Sequence, residues 1–153
     1  MMANQQHLEH LKQDGAHSWN TWRRSYPAIL PELYGADLSG ANLSNYNLSG
    51  ADLREANLQN ANLSGSHLLE AFLIGANLAN ADLSGANLTE AKLAFSDLRG
   101  ANLADADLTG ADLTGANLID ANVRGATLNW TRLDDAIGAS EQLSTAKSRL
   151  EER

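Results

Sequence analysis

Residues 36–45 read Ala36-Asp37-Leu38-Ser39-Gly40-Ala41-Asn42-Leu43-Ser44-Asn45, two copies of one five-residue phrase. Its leucine recurs at every fifth position from Leu33 to Leu133 without an insertion, 21 centres in all, and only Val123 departs from Leu. Two residues before the centre the residue is Ala at sixteen of the 21 repeats. An α-helix turns about 100° per residue, so a five-residue step advances about 140° net and smears the leucines around the cylinder. A continuous strand alternates sides with period two, so an odd step throws successive leucines to opposite faces. A short extended piece followed by a corner escapes both problems. Ala and Leu then point inward, the residue between them points outward, and two residues turn the chain.

The remaining positions of the phrase agree. The residue between Ala and Leu is polar almost throughout, as in Asp37, Asn42, Asn47, Asp52, Asn57 and Asn62. The corner holds ten of the twelve glycines, and Asn45, Asn60, Asn80, Asp105, Asp120 and Asp135 take six more corners. Gly, Asn and Asp are the residues that tolerate positive φ in tight turns. Ser and Thr dominate the position after the leucine, where a hydroxyl is expected to bond turn backbone. The chain is therefore expected to wind as a solenoid with rungs about 4.8 Å apart.

The run AxLxx resembles the pentapeptide-repeat family, and it covers residues 31–135, about two-thirds of the chain. The resemblance implies an all-β solenoid, a right-handed quadrilateral β-helix with four pentapeptides per coil. About five coils and a rod roughly 25 Å long follow from the rung spacing. The expected organisation is an N-terminal helical cap over 1–30, the β-helix over 31–138 and a C-terminal helix over 139–153.

A solenoid must close its ends, where core and unpaired backbone would otherwise be bare. Residues 4–14 read as a short helix with Leu8 and Leu11 on one side, stopped at Gly15. Residues 17–25 lead to Tyr26 and carry Trp19 and Trp22, so that the three aromatics are spaced three and four apart, and we read them as rings laid over the first leucine layer. A similar Trp-Asn-x-Trp-Arg segment (here Trp19, Asn20, Trp22 and Arg23) precedes the repeats in cyanobacterial members of the family. At the other end the register is expected to break after Leu133, at Ala136-Ile137-Gly138. Residues 140–152 then form an amphipathic helix with Leu143, Ala146 and Leu150 on one face and Ser140 as N-cap. It closes the last coil or, on the competing reading, joins two chains as a homodimer through the C-terminal end.

Nothing in the chain assembles a catalytic centre. There is no Cys, hence no thiol nucleophile, thiolate metal site or disulfide. His7 and His10 are three apart on the first helix with His17 nearby, a spacing that can share a metal, but no third ligand is evident and solvent-facing histidines are the expectation. His67 falls on an outward position. The Asp residues recur because the phrase prefers them, and the wall of a rod offers no desolvated cleft to shift a carboxylate's pKa. The chain is read as a non-enzyme without cofactor or metal. It begins without a cationic segment followed by an apolar run, and no stretch approaches the ~18 apolar residues that span a bilayer. A cytoplasmic protein without membrane contact is expected.

Net charge is −8, and residues 31–135, with 14 acidic and 5 basic side chains, account for −9. An acidic rod disfavours direct nucleic-acid binding. Folding the repeat onto four sides, 20 residues apart, exposes one departure from the polar exterior. Phe72 and Ile74, the corner residue Phe95 and, around the preceding edge, Leu69 become neighbours. Scattered surface apolars are ordinary; four together form the candidate contact for an unidentified protein partner. Resemblance to the family supplies the alternative, a DNA-mimicking inhibitor of DNA gyrase. One net charge per ~3 Å approaches the one per ~1.7 Å of duplex DNA. Against it, the 14 acidic residues split 6, 3, 2 and 3 by side, and the richest side also carries Arg54, Lys92 and Arg132.

Overall fold

A computed structural model describes residues 1–13, 15–138 and 143. Two helices, α1 (Gln5–Gln13) and α2 (Gly15–Ser25), precede the repeats. From Glu32 onward the chain forms parallel β-bridges between residues 20 apart, beginning with Glu32 to Asp52, Asp37 to Asn57, Asn42 to Asn62 and Asn47 to His67. A 20-residue translation makes each coil four pentapeptides long, and four ladders run the length of the rod. We call them side one (Glu32, Asp52, Phe72, Lys92, Asp112, Arg132), side two (Asp37 to Ile137), side three (Asn42 to Asn122) and side four (Asn47 to Thr127). Each straight piece is too short to make more than a bridge on either neighbour, and among the described residues no longer strand forms.

The core is the leucine column with its alanine partners. Leu63, Leu83 and Leu103 stack on side three, all fully buried, and Ala61, Ala81 and Ala101 lie beside them. Such a column leaves the backbone close to the axis, which is why the slot two residues before the centre is Ala in most repeats. The main chain between coils is paired with the same pattern throughout: Leu83 N–H donates to Asn102 O at 2.7 Å, Asp82 N–H donates to Ala61 O at 2.9 Å and Gly85 N–H donates to Ala104 O at 2.9 Å.

Corners are set by one hydrogen bond and one left-handed residue. Ala86 N–H donates to Leu83 O at 3.0 Å across the turn, and all 21 corner residues from Gly35 to Asp135 have φ between 55° and 72°. The positive φ at the third residue alone is that of a type II turn. Glu55, Glu70, Glu90, Phe95 and Trp130 occupy the same left-handed conformation, at a cost of about 1–2 kcal/mol each.

The structure differs from the sequence reading at two places. The hydroxyls after the leucine do not bond turn backbone. They donate to the outward Asp or Asn two residues earlier, as in Ser39 Oγ to Asp37 Oδ1 at 2.8 Å and Thr109 Oγ1 to Asp107 Oδ1 at 2.6 Å. That same Oδ1 accepts the backbone N–H of the hydroxyl residue (3.1 Å for Ser39, 3.0 Å for Thr109), an Asx-turn that opens the corner. The preference for Asp or Asn at the outward position is thereby explained. Asn also bridges coils through its amide, with Asn122 Nδ2 donating to Asn102 Oδ1 at 3.0 Å.

The second correction is at the C-terminal end. The register does not break after Leu133: Ile137 pairs with Asn117 in a further rung of side two, with Leu118 N–H to Ile137 O at 2.7 Å. The next leucine slot holds Gly138, at φ +101°, where a Cβ would fall 2.5 Å from Ile119 N. Residue 143 is helical and buried with the core; the rest of the expected C-terminal helix, with Ser140, Ala146 and Leu150, lies outside the described residues.

Candidate functional site

The N-terminal cap comes first, because it shapes one end of the site. Asn4 caps α1 by accepting the Gln6 and His7 N–H groups at 3.0 and 3.3 Å. Trp19 is fully buried, its ring tilted against those of Trp22 and Tyr46 at centroid distances of 5.0 and 6.2 Å. Tyr46 fills an alanine slot, enters the core beneath the cap and donates its hydroxyl to Leu11 O at 3.3 Å. Trp22 is half-buried against the His7 and His10 rings. Tyr26, expected with the other two, is 54% exposed. Its N–H closes the end of α2 on Trp22 O, and Pro27 follows at once, so the backbone leaves the helix before the ring can turn over the core.

The cap does more than cover. Trp19 Nε1 donates to Asn47 O at 2.8 Å, Arg23 Nη2 donates to Ser49 O at 2.8 Å, and Asn47 N–H donates to Asn20 Oδ1 at 2.7 Å. On side one, Asn4 N–H donates to Glu32 O at 2.8 Å and His7 Nδ1 accepts the Glu32 N–H at 3.0 Å. These groups take the places that a preceding coil's backbone would hold. His7 is therefore a backbone cap rather than a solvent-facing helix histidine, and burial holds its pKa below the ordinary 6.5 while Glu32 opposes the shift. His17 and His67 are exposed. Among the described residues no cluster of three His, Asp or Glu side chains is placed to hold a metal.

The four apolar residues lie where the four-sided folding puts them. Leu69 is 38% exposed, Phe72 41%, Ile74 37% and Phe95 69%. Phe72 projects from side one between Asp52 and Lys92. Ile74 follows it toward the corner, and Phe95 stands at that corner one coil on, its ring lying over Gly115, where an added Cβ would meet it at 2.6 Å. Sequence reasoning missed the groove beside them. The segment after α2 folds back along side one and leaves a groove of about 710 Å³ between Ile29, Leu30, Glu32, Asp52 and Phe72. Ile29 and Leu30 are 42% and 50% exposed, so the apolar surface continues from Phe72 onto the cap. The only sequence signal was a pair of unpaired apolars between two prolines. Ile119, Trp130 and Ile137 are also exposed, but they lie toward the C-terminal end of the rod and are not counted with the site.

The charges on side one are partly cancelled. Asp52 is bound by Arg54 at 2.7 Å and Asp112 by Arg132 at 3.5 Å. On side two Arg99 holds Asp97 at 2.6 Å. Those arginine hydrogen bonds keep the Asp52 and Asp97 carboxyls below the ordinary carboxylate range, and the Ser39, Ser84 and Thr109 hydroxyls do the same for Asp37, Asp82 and Asp107. These acids are turn and ion-pair components. They form no continuous acidic stripe.

Comparison with known proteins bears on the fold. The family model for pentapeptide repeats matches in eight copies over residues 32–135. A pentapeptide repeat protein from the Arabidopsis thaliana thylakoid lumen is 30% identical, the match covering 70% of this chain and 74% of that one, with a TM-score of 0.67. A pentapeptide repeat protein from the cyanobacterium Cyanothece 51142 is 24% identical over 81% of this chain and all of its own, with a TM-score of 0.61. QnrB1, a plasmid-mediated fluoroquinolone resistance protein, is 20% identical with a TM-score of 0.27, too distant to carry an argument. No curated protein matches the chain. The repeats, the 20-residue coil and these matches together make the chain a member of the pentapeptide repeat family, whose members fold as right-handed quadrilateral β-helices.

Proposed function

We propose that this protein is a non-enzymatic binding or scaffold protein that works through protein–protein contact, with Leu69, Phe72, Ile74 and Phe95 as the contact. The observation that carries this is the exposure of four apolar side chains together on a rod whose other outward positions are almost all polar. The core does not require them, since Leu73 and Leu93 beneath are already fully buried. Complete burial in an interface is worth roughly 1.5–3 kcal/mol per side chain, enough to hold a modest complex. Among the described residues no helix is long and apolar enough to cross a membrane, and we assign the protein to the cytoplasm. The test is a pulldown from native cell extract with wild type and a Phe72→Ser, Phe95→Ser double variant. The variant should fold normally and lose the partner that the wild type captures; retention of that partner would move the site to the capped ends.

The second reading is charge mimicry of DNA toward gyrase. The acidic density favours it, and the arginine partners of Asp52, Asp97 and Asp112 weaken it. Supercoiling by gyrase should be unaffected at micromolar protein even at low salt, where electrostatics are strongest. Inhibition that fades steeply as salt rises would reverse the order of the two readings.

A further inference from the structure

Corner residues are unequal around the rod. The corner between sides two and three holds Gly40, Asn60, Asn80, Gly100 and Asp120, and that between sides three and four holds Asn45, Gly65, Gly85, Asp105 and Gly125. Every one is a residue that adopts positive φ with little penalty. Glu55, Glu70, Glu90, Phe95 and Trp130, the five left-handed residues for which that conformation is costly, all stand on the two corners that border side one. Local strain of this kind persists where the surrounding structure imposes it, and it clusters at functional sites. Side one also carries Phe72 and Ile74 and opens into the groove floored by Ile29 and Leu30.

The electrostatics of that face are equally one-sided. With Asp52 paired to Arg54 and Asp112 to Arg132, the acids left around the apolar strip are Glu32, Glu55, Glu70 and Glu90. All four are exposed. Among the described residues, Lys92 is the one cation on side one outside those two pairs. Glu70 and Glu90 line one edge of side one, Glu55 lies on the other, and Glu32 sits at the groove.

We propose that side one is the docking face for a basic, amphipathic segment of a partner protein. Its apolar side chains seat on Leu30, Phe72, Ile74 and Phe95, and its Lys or Arg side chains reach the glutamates along the two edges. This rests on the reading that the apolar edge is a protein contact and adds the chemistry of what binds there. A second copy of the chain is disfavoured as the occupant, because two such faces brought together would oppose like charges in a protein whose net charge is already −8.

The test uses the full chain and labelled synthetic peptides of alternating Leu and Lys, or Leu and Glu, read by fluorescence anisotropy. The Leu/Lys peptide should bind, more weakly as salt is raised, and the Leu/Glu peptide should not. Glu70→Gln with Glu90→Gln should weaken binding roughly three- to tenfold. Asp105→Asn with Asp120→Asn removes the same charge from the far corners and should leave binding unchanged. Equal weakening by the two charge pairs, or equal binding of the two peptides, would overturn the proposal. If the Phe72→Ser, Phe95→Ser protein loses its native partner while the Glu70, Glu90 variant keeps it at full strength, the contact stands and its basic chemistry falls. Sedimentation showing a wild-type dimer abolished by the Phe72, Phe95 substitutions would overturn the choice of occupant.

Discussion

Asn47 donates its backbone N–H to the side-chain Oδ1 of Asn20 at 2.7 Å, whereas His67, one coil later in the same ladder, donates to the backbone carbonyl of Tyr46 at 2.9 Å. The asparagine of the cap stands in for a peptide bond of a coil that is not there. Its amide nitrogen meanwhile donates to Asn45 O at 2.9 Å. Replacing Asn20 by Ala leaves a half-buried N–H without its acceptor and should cost about 1–3 kcal/mol, read as a fall of several degrees in the melting temperature. Asn20→Asp keeps the acceptor and loses only the donor, so it should fall between wild type and Ala. Equal melting of all three proteins would show that the cap is held by its tryptophans alone.

Gly138 occupies the leucine slot after Leu133, against the backbone of the preceding coil. A Cβ there would sit 2.5 Å from Ile119 N and 2.6 Å from Leu118 O, and the residue is at φ +101°. Gly85 also has positive φ, at +63°, but a Cβ would meet nothing within 4 Å. Gly85→Ala should therefore cost only the conformational strain, about 1–2 kcal/mol. Gly138→Ala must also move the main chain of the coil below, at roughly 3 kcal/mol in total. Denaturant titration of the two variants checks the order.

Acid should destabilise the protein in two windows. The His7 imidazole accepts the Glu32 N–H only when neutral, and its folded pKa lies below the 6.5 of the unfolded chain. Its contribution is present above pH 6.5 and is lost as pH falls below that value, because the unfolded chain then takes up the proton first. The Asp37, Asp52, Asp82, Asp97 and Asp107 carboxyls are all held below their ordinary 3.8. Their contribution survives the first window and disappears as pH falls below 3.8 through the folded values. Melting temperature against pH should fall in two steps, and His7→Leu should flatten the upper one while leaving the lower.

The coil was legible in the sequence because one slot per pentapeptide is Leu in all repeats but one: the spacing of Leu33 through Leu133 excludes helix and strand by geometry, and 20-residue stacking then makes Phe72, Ile74 and Phe95 neighbours. The same folding would have revealed the corner imbalance, had Glu55, Glu70 and Glu90 been sorted by corner instead of counted as surface charge. Asn20 and His7 were not legible. Their roles depend on how α1 and α2 lie across the first coil, which no periodicity encodes. Tyr26 misled for a related reason: helical spacing carried the aromatic series one residue beyond the point where Pro27 takes the backbone off the helix. The hydroxyl partners were not legible because Ser and Thr bond backbone and side chains equally well in turns, and only the fold decides between Asp37 and the corner.

Phe95 joins strain and exposure in one residue. It is at φ +59° and 69% exposed, and neither feature serves the core, since Leu93 beside it is already sealed. Asn is at home in the left-handed region and occupies the equivalent corners at Asn45, Asn60 and Asn80. Phe95→Asn should thus stabilise the isolated protein by about 1 kcal/mol, a rise of a few degrees in melting temperature, and should weaken capture of the native partner. Glu70→Asn, on the other edge of side one, should show the same opposed changes in smaller measure. Asn60→Gly at the far corner relieves little and should alter neither property. A Phe95→Asn protein that melts lower than wild type would mean that the ring's packing over Gly115 outweighs the conformational cost, and the concentration of strained corners beside side one would then be a packing feature.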